Sequence, residues 1–217
     1  MAKIEKRDVW RAEVTLELSR IAFAAQYEER GKGSERKRYI IPTNWLADDG
    51  KTLLFDVGKR LKGWIKEVVL TTKPSLAKKI QYGLFAKSLP KPGLNPLQLV
   101  ENGKYATLDD IAPSKTWKNF QYKDLYELGS FPEPEVEHLI SGTTGTSIFR
   151  QFYVLEKNVI AKANIFCLAQ ISPNVIESWL REIGEYKGLG DCHSAPECYG
   201  TFTVRDFHTI EEKKIVF

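Results

Sequence analysis

Histidine and cysteine are the residue types in this 217-residue chain best suited to catalysis or metal binding, and the chain has three of each. Cys192 and Cys198 enclose a short loop, CHSAPEC, in which His193 supplies a third potential metal ligand. A structural zinc site normally needs four ligands, often as paired CxxC units, and no second pair exists here. We therefore expect no metal and no cofactor, with two free thiols in this loop. A zinc site and a disulfide remain the alternatives.

A histidine acting as general base is the one catalytic hypothesis that these residue types support. His193 and His208 would be its candidates in an RNA endonuclease. Cys192 is next to His193, but adjacent residues on an extended chain point apart, and no spacing argues for a Ser/His/Asp or Cys/His arrangement. The segment GTTGTS, residues 142–147, lacks the lysine of a phosphate-binding loop and precedes a strand rather than a helix. We expect a non-catalytic protein and assign no catalytic residue.

Clustered positive charge is the main indication of a ligand. Residues 30–87 hold 14 Lys and Arg against 5 Asp and Glu, whereas residues 97–140 hold 4 against 8, so the net charge of +4 conceals a basic block. Such a block is typical of a phosphate-binding surface. A solvated helix face is the alternative. The residues predicted to contact phosphate are Arg36, Lys37, Arg38, Lys59, Arg60, Lys62 and Lys66.

Sequence periodicity locates the elements that must position this block. Residues 9–19 alternate between apolar and polar, which predicts a strand with one buried face. Residues 52–69 carry an apolar stripe at period 3.6, which predicts a helix bearing four of the basic residues. Gly58 and Gly63 lower the helix propensity there, and they either permit close packing or are tolerated. The segment SLPKPGLNP, residues 88–96, predicts a break.

The last third of the chain has the most regular pattern. Residues 148–156 and 159–170 alternate as two strands, and Glu156-Lys157-Asn158 between them predicts a tight turn. Ser172-Pro173 has the residue types of an N-cap and first helical position. Residues 199–207 predict a last strand.

This order predicts an α+β fold with a ferredoxin-like (RRM-like) βαββαβ core and an inserted, partly irregular segment. Residues 1–87 would form the first half of the core, residues 88–147 the insertion, and residues 148–217 the second half. Helices cover one face of such a sheet, and aromatic side chains on the other face can stack RNA bases. The candidates for stacking are Phe149, Tyr153, Phe166 and Phe202.

The glycine-rich loop after the second predicted helix is a further candidate ligand site. Lys187, Gly188 and Gly190 lie in the stretch GEYKGLGD, which precedes the strand YGTFTV. Glycine lets a ligand approach the backbone closely, so its amides can meet phosphate oxygens. A loop that needs glycine only to turn tightly is the alternative.

The helix, the glycine-rich loop and the final strand, over residues 172–207, resemble the RAMP superfamily, ferredoxin-like proteins of CRISPR effector complexes. The ending GEYKGLGD…YGTFTV also resembles a group of phage and prophage proteins of unassigned role. The resemblance implies an RNA-binding or RNA-organising role. Such loops usually carry Arg or Trp where this chain has residues 192–197, which are not basic. That departure favours packing over direct phosphate contact.

The leading hypothesis is a phage-type RAMP-like protein that binds RNA or single-stranded DNA without catalysis, as repeated subunits or within a multi-subunit complex. One alternative is a structural protein that assembles through the aromatic, acidic insertion, and another is the His-dependent RNA endonuclease. No stretch approaches the about 18 apolar residues of a membrane span, and the start MAKIEKRDVW has no apolar signal core. We expect a cytoplasmic protein, in the host cytoplasm if a phage encodes it, with no membrane partner.

Overall fold

The computed structural model describes residues 6–24, 27–30, 37–40, 45–111, 126–127, 136–141, 147–168, 171–189 and 199–216, with side chains within 9–23, 45–111, 154–168, 171–189 and 199–210. These residues form an α+β fold, as expected. The strands are β1 (Lys6–Leu18), β2 (Ile21–Ala24), β3 (Tyr27–Arg30), β4 (Lys37–Ile40), β5 (Leu54–Phe55), β6 (Leu84–Leu89), β7 (Asn95–Pro96), β8 (Gln98–Leu99), β9 (Tyr126–Glu127), β10 (Val136–Ser141), β11 (Ser147–Leu155), β12 (Val159–Cys167) and β13 (Phe202–Val216). The helices are α1 (Val57–Thr72), α2 (Ala77–Gly83), α3 (Leu108–Ile111) and α4 (Pro173–Ile183), with a 3-10 turn at Pro74–Leu76.

The large sheet has the strand order β13-β1-β12-β6, and β8 adds to one end of β12. Every neighbouring pair in it is antiparallel. Since β1 and β6 both run antiparallel to β12, they are parallel to each other with β12 between them. The smaller sheets among the described strands are β10-β11-β2, β3-β4-β9 and β5-β7.

Apolar side chains on one face of the large sheet form the core with both long helices. Strand β1 alternates as its sequence predicts, with Trp10 to Leu18 at even positions buried. Trp64 of α1 contacts Phe202 of β13 edge to face, with ring centroids 5.3 Å apart. The cluster includes Ala12, Val14 and Leu16 from β1, Leu61, Trp64 and Ile65 from α1, Ala163 and Ile165 from β12, and Ile176 and Leu180 from α4. Both helices therefore lie on the same face of this sheet.

The segment Glu156-Lys157-Asn158 is a bulge and not the predicted tight turn. Strands β11 and β12 do not pair with each other, because β11 runs beside β2 and β12 runs beside β1. Leu155 pairs with Ile21 and Val159 pairs with Leu18, so three residues on one strand oppose two on the other. The two long segments thus form one antiparallel ribbon that passes from the large sheet into a smaller one. Strand 148–156 forms nearly as predicted, but it lies outside the large sheet.

Helix α1 begins at Val57, five residues later than the sequence predicts. The Asp56 side chain accepts a hydrogen bond from the Lys59 amide at 3.0 Å, which caps the helix. Leu53 and Leu54 belong to the predicted stripe, but their amides donate to Ala106 and Trp45 instead. Those hydrogen bonds hold residues 52–55 in an extended conformation. The helix therefore begins only after its N-cap, Asp56.

Strand β6 is the sheet strand that the sequence analysis missed. It follows the short helix α2, which was also missed, and it ends at the predicted break. Gly58 of α1 lies directly against β6, and a Cβ built on it would fall 2.4 Å from the Ser88 nitrogen. The Ser88 hydroxyl accepts from the Gly58 amide and donates to Asp56 at 2.6 Å. The glycine therefore permits close packing of α1 on β6.

The last helix begins where the sequence predicts, with Ser172 as N-cap and Pro173 in the first turn. The last strand is longer than predicted and extends from Phe202 to Val216. Residues 97–111, part of the predicted insertion, contribute Leu97, Leu99, Leu108 and Ile111 to the core.

An ion pair attaches α3 to the bulge, and the same carboxylate closes the first turn of α3. Asp110 accepts from the backbone amide of Thr107 at 2.7 Å, and its other oxygen lies 2.9 Å from the Lys157 ammonium. Burial raises the pKa of Asp110, but the hydrogen bonds from Lys157 and Thr107 outweigh it, so the pKa lies below its ordinary value of 3.8.

Two glycine substitutions in α1 test its close approach to β6. Gly58→Ala should destabilise the protein by about 1–3 kcal/mol, because its Cβ meets backbone that cannot move aside. Gly63→Ala should stabilise it by about 0.5–1 kcal/mol, since nothing lies within 4 Å of its Cβ and alanine favours the helix. Urea unfolding of both variants measures the difference. Equal effects would contradict the packing described.

Replacing Asp110 tests the attachment of α3. Asp110→Asn should lower the free energy of unfolding by about 1 kcal/mol at pH 7. A carboxyl whose folded pKa is depressed contributes fully above its unfolded pKa of about 4, and the contribution is lost as pH falls through the folded pKa. The deficit should therefore shrink between pH 4 and pH 2 in urea unfolding. The exposed neighbour, in Asp109→Asn, is the matched control and should show no such deficit.

Candidate nucleic-acid interface

The face of the large sheet opposite α1 and α4, here called the open face, carries the outward side chains of its four longer strands, β13, β1, β12 and β6. On β12 the outward positions are Ile160, Lys162, Asn164 and Phe166, and they alternate with buried residues. The outward side chains of β1, β12 and β6 are half-buried or exposed. A ligand can therefore reach this surface.

Phe85 and Phe166 form an exposed aromatic pair on the open face. They lie directly opposite each other on β6 and β12, with ring centroids 6.4 Å apart and planes tilted by 39°. Phe85 is 40% exposed and Phe166 is 37% exposed. The Lys62 ammonium lies 4.9 Å from the Phe85 ring centroid, within cation–π range. Two large apolar rings in water beside a cation offer a stacking surface.

Further lysines flank this pair. Lys87 lies two residues after Phe85, and Lys162 lies four residues before Phe166, so both share its face. Neither lysine has an ion-pair partner among the described side chains. Asn164 lies between Lys162 and Phe166, and its buried side-chain oxygen accepts no hydrogen bond from the described residues. Phe85, Phe166, Lys62, Lys87 and Lys162 are called the aromatic half of the open face below.

Helix α1 brings three of the predicted lysines to one stripe. Lys59, Lys62 and Lys66 are spaced i, i+3 and i+7, which places them on one side of the helix over about 10 Å. Because Lys62 reaches the Phe85 ring, this stripe adjoins the open face around the β6 edge. The helix lysines and the aromatic pair therefore belong to one continuous surface.

The structure does not place the other predicted site residues on this surface. The Arg60 guanidinium lies over Phe55, 5.5 Å from its centroid. The Lys187 ammonium is 2.6 Å from a Glu67 carboxylate oxygen, which compensates its charge. Lys37 and Arg38 lie in β4, whose backbone alone is described, and Arg36 and Gly190 lie outside the described residues.

Gly188 is a packing glycine, and the structure does not expose its backbone to a phosphate. It is buried, and a Cβ built on it would fall 1.9 Å from the Tyr199 carbonyl oxygen. The neighbouring Leu189 amide donates to the Gly200 carbonyl at 2.8 Å. The chain therefore needs glycine here for close approach to residues 199–200, which was the alternative given above.

Of the four aromatic residues predicted to stack bases, Phe166 lies on the open face. Phe202 was a wrong candidate, because it is 2% exposed and packs against Trp64 on the helix side. Phe149 and Tyr153 lie in β11 of a smaller sheet, where only the backbone is described. Phe85 was missed because β6 was missed. The alternation in LFAKSL, residues 84–89, could have predicted β6, but the prolines that follow favoured a break.

The β1 and β13 side of the open face carries most of its carboxylates, together with the exposed Arg11, which lies directly opposite Phe166. Glu13 faces His208 across the strands, and Asp206 lies 3.2 Å from the His208 Nδ1 atom. Glu17 pairs with Arg205 and accepts from the Asn158 side chain at 2.8 Å.

The histidines and cysteines give no assembled catalytic or metal site within the described residues. His208 lies inside β13 and is exposed, rather than following the last strand. His193, Cys192 and Cys198 lie outside the described residues. Among the side chains that the structure describes, no three His, Cys, Asp or Glu residues are grouped to hold a metal ion.

Comparison of the chain with protein-family models, with curated proteins and with solved structures found no match. In the described part of the chain, no helix has the length and apolar character needed to cross a bilayer.

Proposed function

We propose that this protein binds single-stranded nucleic acid, RNA or single-stranded DNA, on the aromatic half of the open face and on the lysine stripe of α1. The observation that carries the proposal is the exposed Phe85–Phe166 pair with Lys62 over one ring. Proteins that bind single strands combine aromatic side chains on which bases stack with a basic surface that follows the phosphates. Both components adjoin here.

We also propose that the large sheet and its helices are a ferredoxin-like, RRM-like core. In chain order its strands are β1, β6, β12 and β13. Across the sheet the order is β13, β1, β12, β6, so the fourth strand lies at one edge, followed by the first, the third and the second. A helix follows the first strand and another follows the third, on the same face. Two interleaved split β-α-β units of this kind support the interpretation.

The remaining hypotheses stay predictions. Membership of the RAMP superfamily, assembly through residues 97–140 and His-dependent RNA cleavage are among them.

Removing either ring tests the stacking surface. Phe166→Ala and Phe85→Ala should each weaken binding of a short single-stranded oligonucleotide by about 1–3 kcal/mol, or roughly 5- to 150-fold in Kd. Tyr186→Ala removes a more exposed ring that lies off the sheet and is the matched control. Fluorescence anisotropy measures the affinity. Loss of binding in the control alone, or no loss in either phenylalanine variant, would refute the proposal.

Salt dependence tests the lysine stripe. For single strands each phosphate contact adds about 0.7 to the slope of log affinity against log salt. Lys62→Ala with Lys66→Ala should therefore reduce the slope by about 1.4. Lys91→Ala with Lys104→Ala, two exposed lysines away from α1, should leave the slope unchanged. A reduction of equal size in both double variants would assign the dependence to overall charge and not to α1.

A further inference from the structure

The open face is divided by charge, and the division bears on how a strand can cross it. Lys87 and Lys162 lie on β6 and β12 without ion-pair partners among the described side chains. Glu13 on β1 is directly opposite Asn164 of β12, and Asp206 on β13 is opposite Thr15 of β1. A phosphate that moves from β12 towards β13 leaves two lysines and meets these two carboxylates. The exception is beside Phe166, where the exposed Arg11 of β1 lies directly opposite the ring.

At the opposite edge of the sheet, along β6, the positively charged surface continues onto α1. Phe85 lies on β6, the edge strand of the sheet, and the Lys62 ammonium reaches its ring from α1. Lys59 and Lys66 extend the same stripe along the helix by about one turn in either direction. A strand that leaves the sheet over β6 therefore meets further positive charge.

We infer that the bound strand lies on β12 and β6, reaches β1 only at Arg11 beside Phe166, and leaves the sheet over the β6 edge onto α1. Glu13 and Asp206 keep it off β13 and the rest of β1. The inference rests on the proposed function and adds the path of the strand and the number of bases that stack on the sheet. The ligand is a short single-stranded segment with about two bases stacked on the sheet, one for each ring. A duplex does not fit this surface, because its bases are paired and stacked inside the helix.

The spacing of the strands determines how much shorter the bound segment is than one that crosses the whole sheet. Neighbouring strands lie about 4.8 Å apart, so excluding β13 and most of β1 shortens the path over the sheet by roughly 5–10 Å. Affinity should therefore stop rising at a shorter oligonucleotide length than for a ligand that crosses all four strands.

Reversing the two charges tests this confinement. In Glu13→Lys with Asp206→Lys, the affinity for a homopolymer length series should continue to rise beyond the length at which the wild-type affinity levels off. The slope of log affinity against log salt should steepen by up to about 1.4, for two added phosphate contacts. Neutralisation in Glu13→Gln with Asp206→Asn should raise affinity about twofold at low salt, and the gain should shrink as salt screens the charges.

Asp48→Lys with Asp109→Lys is the matched control, because it reverses two exposed carboxylates that lie off the large sheet. It should leave the limiting length unchanged. Thermal unfolding confirms that each variant is folded. If Glu13→Lys with Asp206→Lys does not fold, Glu13→Gln with Asp206→Asn provides the test instead.

The outcomes separate the inference from the proposed function. If the wild type binds single strands and Phe166→Ala weakens them, but charge reversal leaves the limiting length and the salt slope unchanged, the confinement is wrong and the proposed function stands. If a duplex binds as tightly as the single strand, the assigned ligand class is wrong. If the wild type binds no oligonucleotide, both the proposed function and this inference are overturned.

Discussion

The pairing register of β1 with β12 is the constraint on which the rest of the described structure depends. Val14 lies opposite Ala163 and Leu16 opposite Ala161, so inward positions of both strands coincide along the ribbon. A slip of one residue would turn Glu13 and Glu17 into the core, which the apolar cluster with α1 and α4 could not accommodate. The same register places Phe166 outward, because side chains on a strand alternate between faces. The burial of one face of the sheet and the exposure of Phe166 on the other thus follow from one pairing register.

The close approach of α1 to β6 converts that alignment into a candidate binding surface. Gly58 allows the helix to lie against Ser88, and the Ser88 hydroxyl links the Gly58 amide to Asp56, the helix cap. This contact fixes the first turn of α1 beside the sheet edge, and Lys62 lies one turn further on, over Phe85. Without it the lysine stripe and the aromatic pair would be two separate features. Each is unremarkable by itself, since exposed lysines and single exposed aromatic residues are common on protein surfaces.

The energetics of such a surface require both components. Two stacked bases contribute about 2–6 kcal/mol, and a Kd of about 1 mM already corresponds to about 4 kcal/mol. Stacking alone therefore gives weak binding that tolerates most base sequences, since every base has a flat face. Phosphate contacts supply the remainder and make the affinity depend on salt. A surface of this type is suited to holding a strand without reading its sequence.

The sequence by itself determined the local elements whose period is strong: the alternation of β1 and β12, the start and N-cap of α4, and the basic character of α1. These are set by neighbouring residues along the chain, and so they can be inferred from spacing. The sequence did not determine the start of α1, the bulge at Lys157, the strand β6 or the side on which Phe202 lies. Each depends on a partner far along the chain: Leu53 on Ala106, Leu155 on Ile21, Phe85 on Phe166, and Phe202 on Trp64. Only the tertiary structure decided these, because backbone hydrogen bonds and core packing between distant segments choose among local conformations that the sequence alone leaves nearly equal in energy.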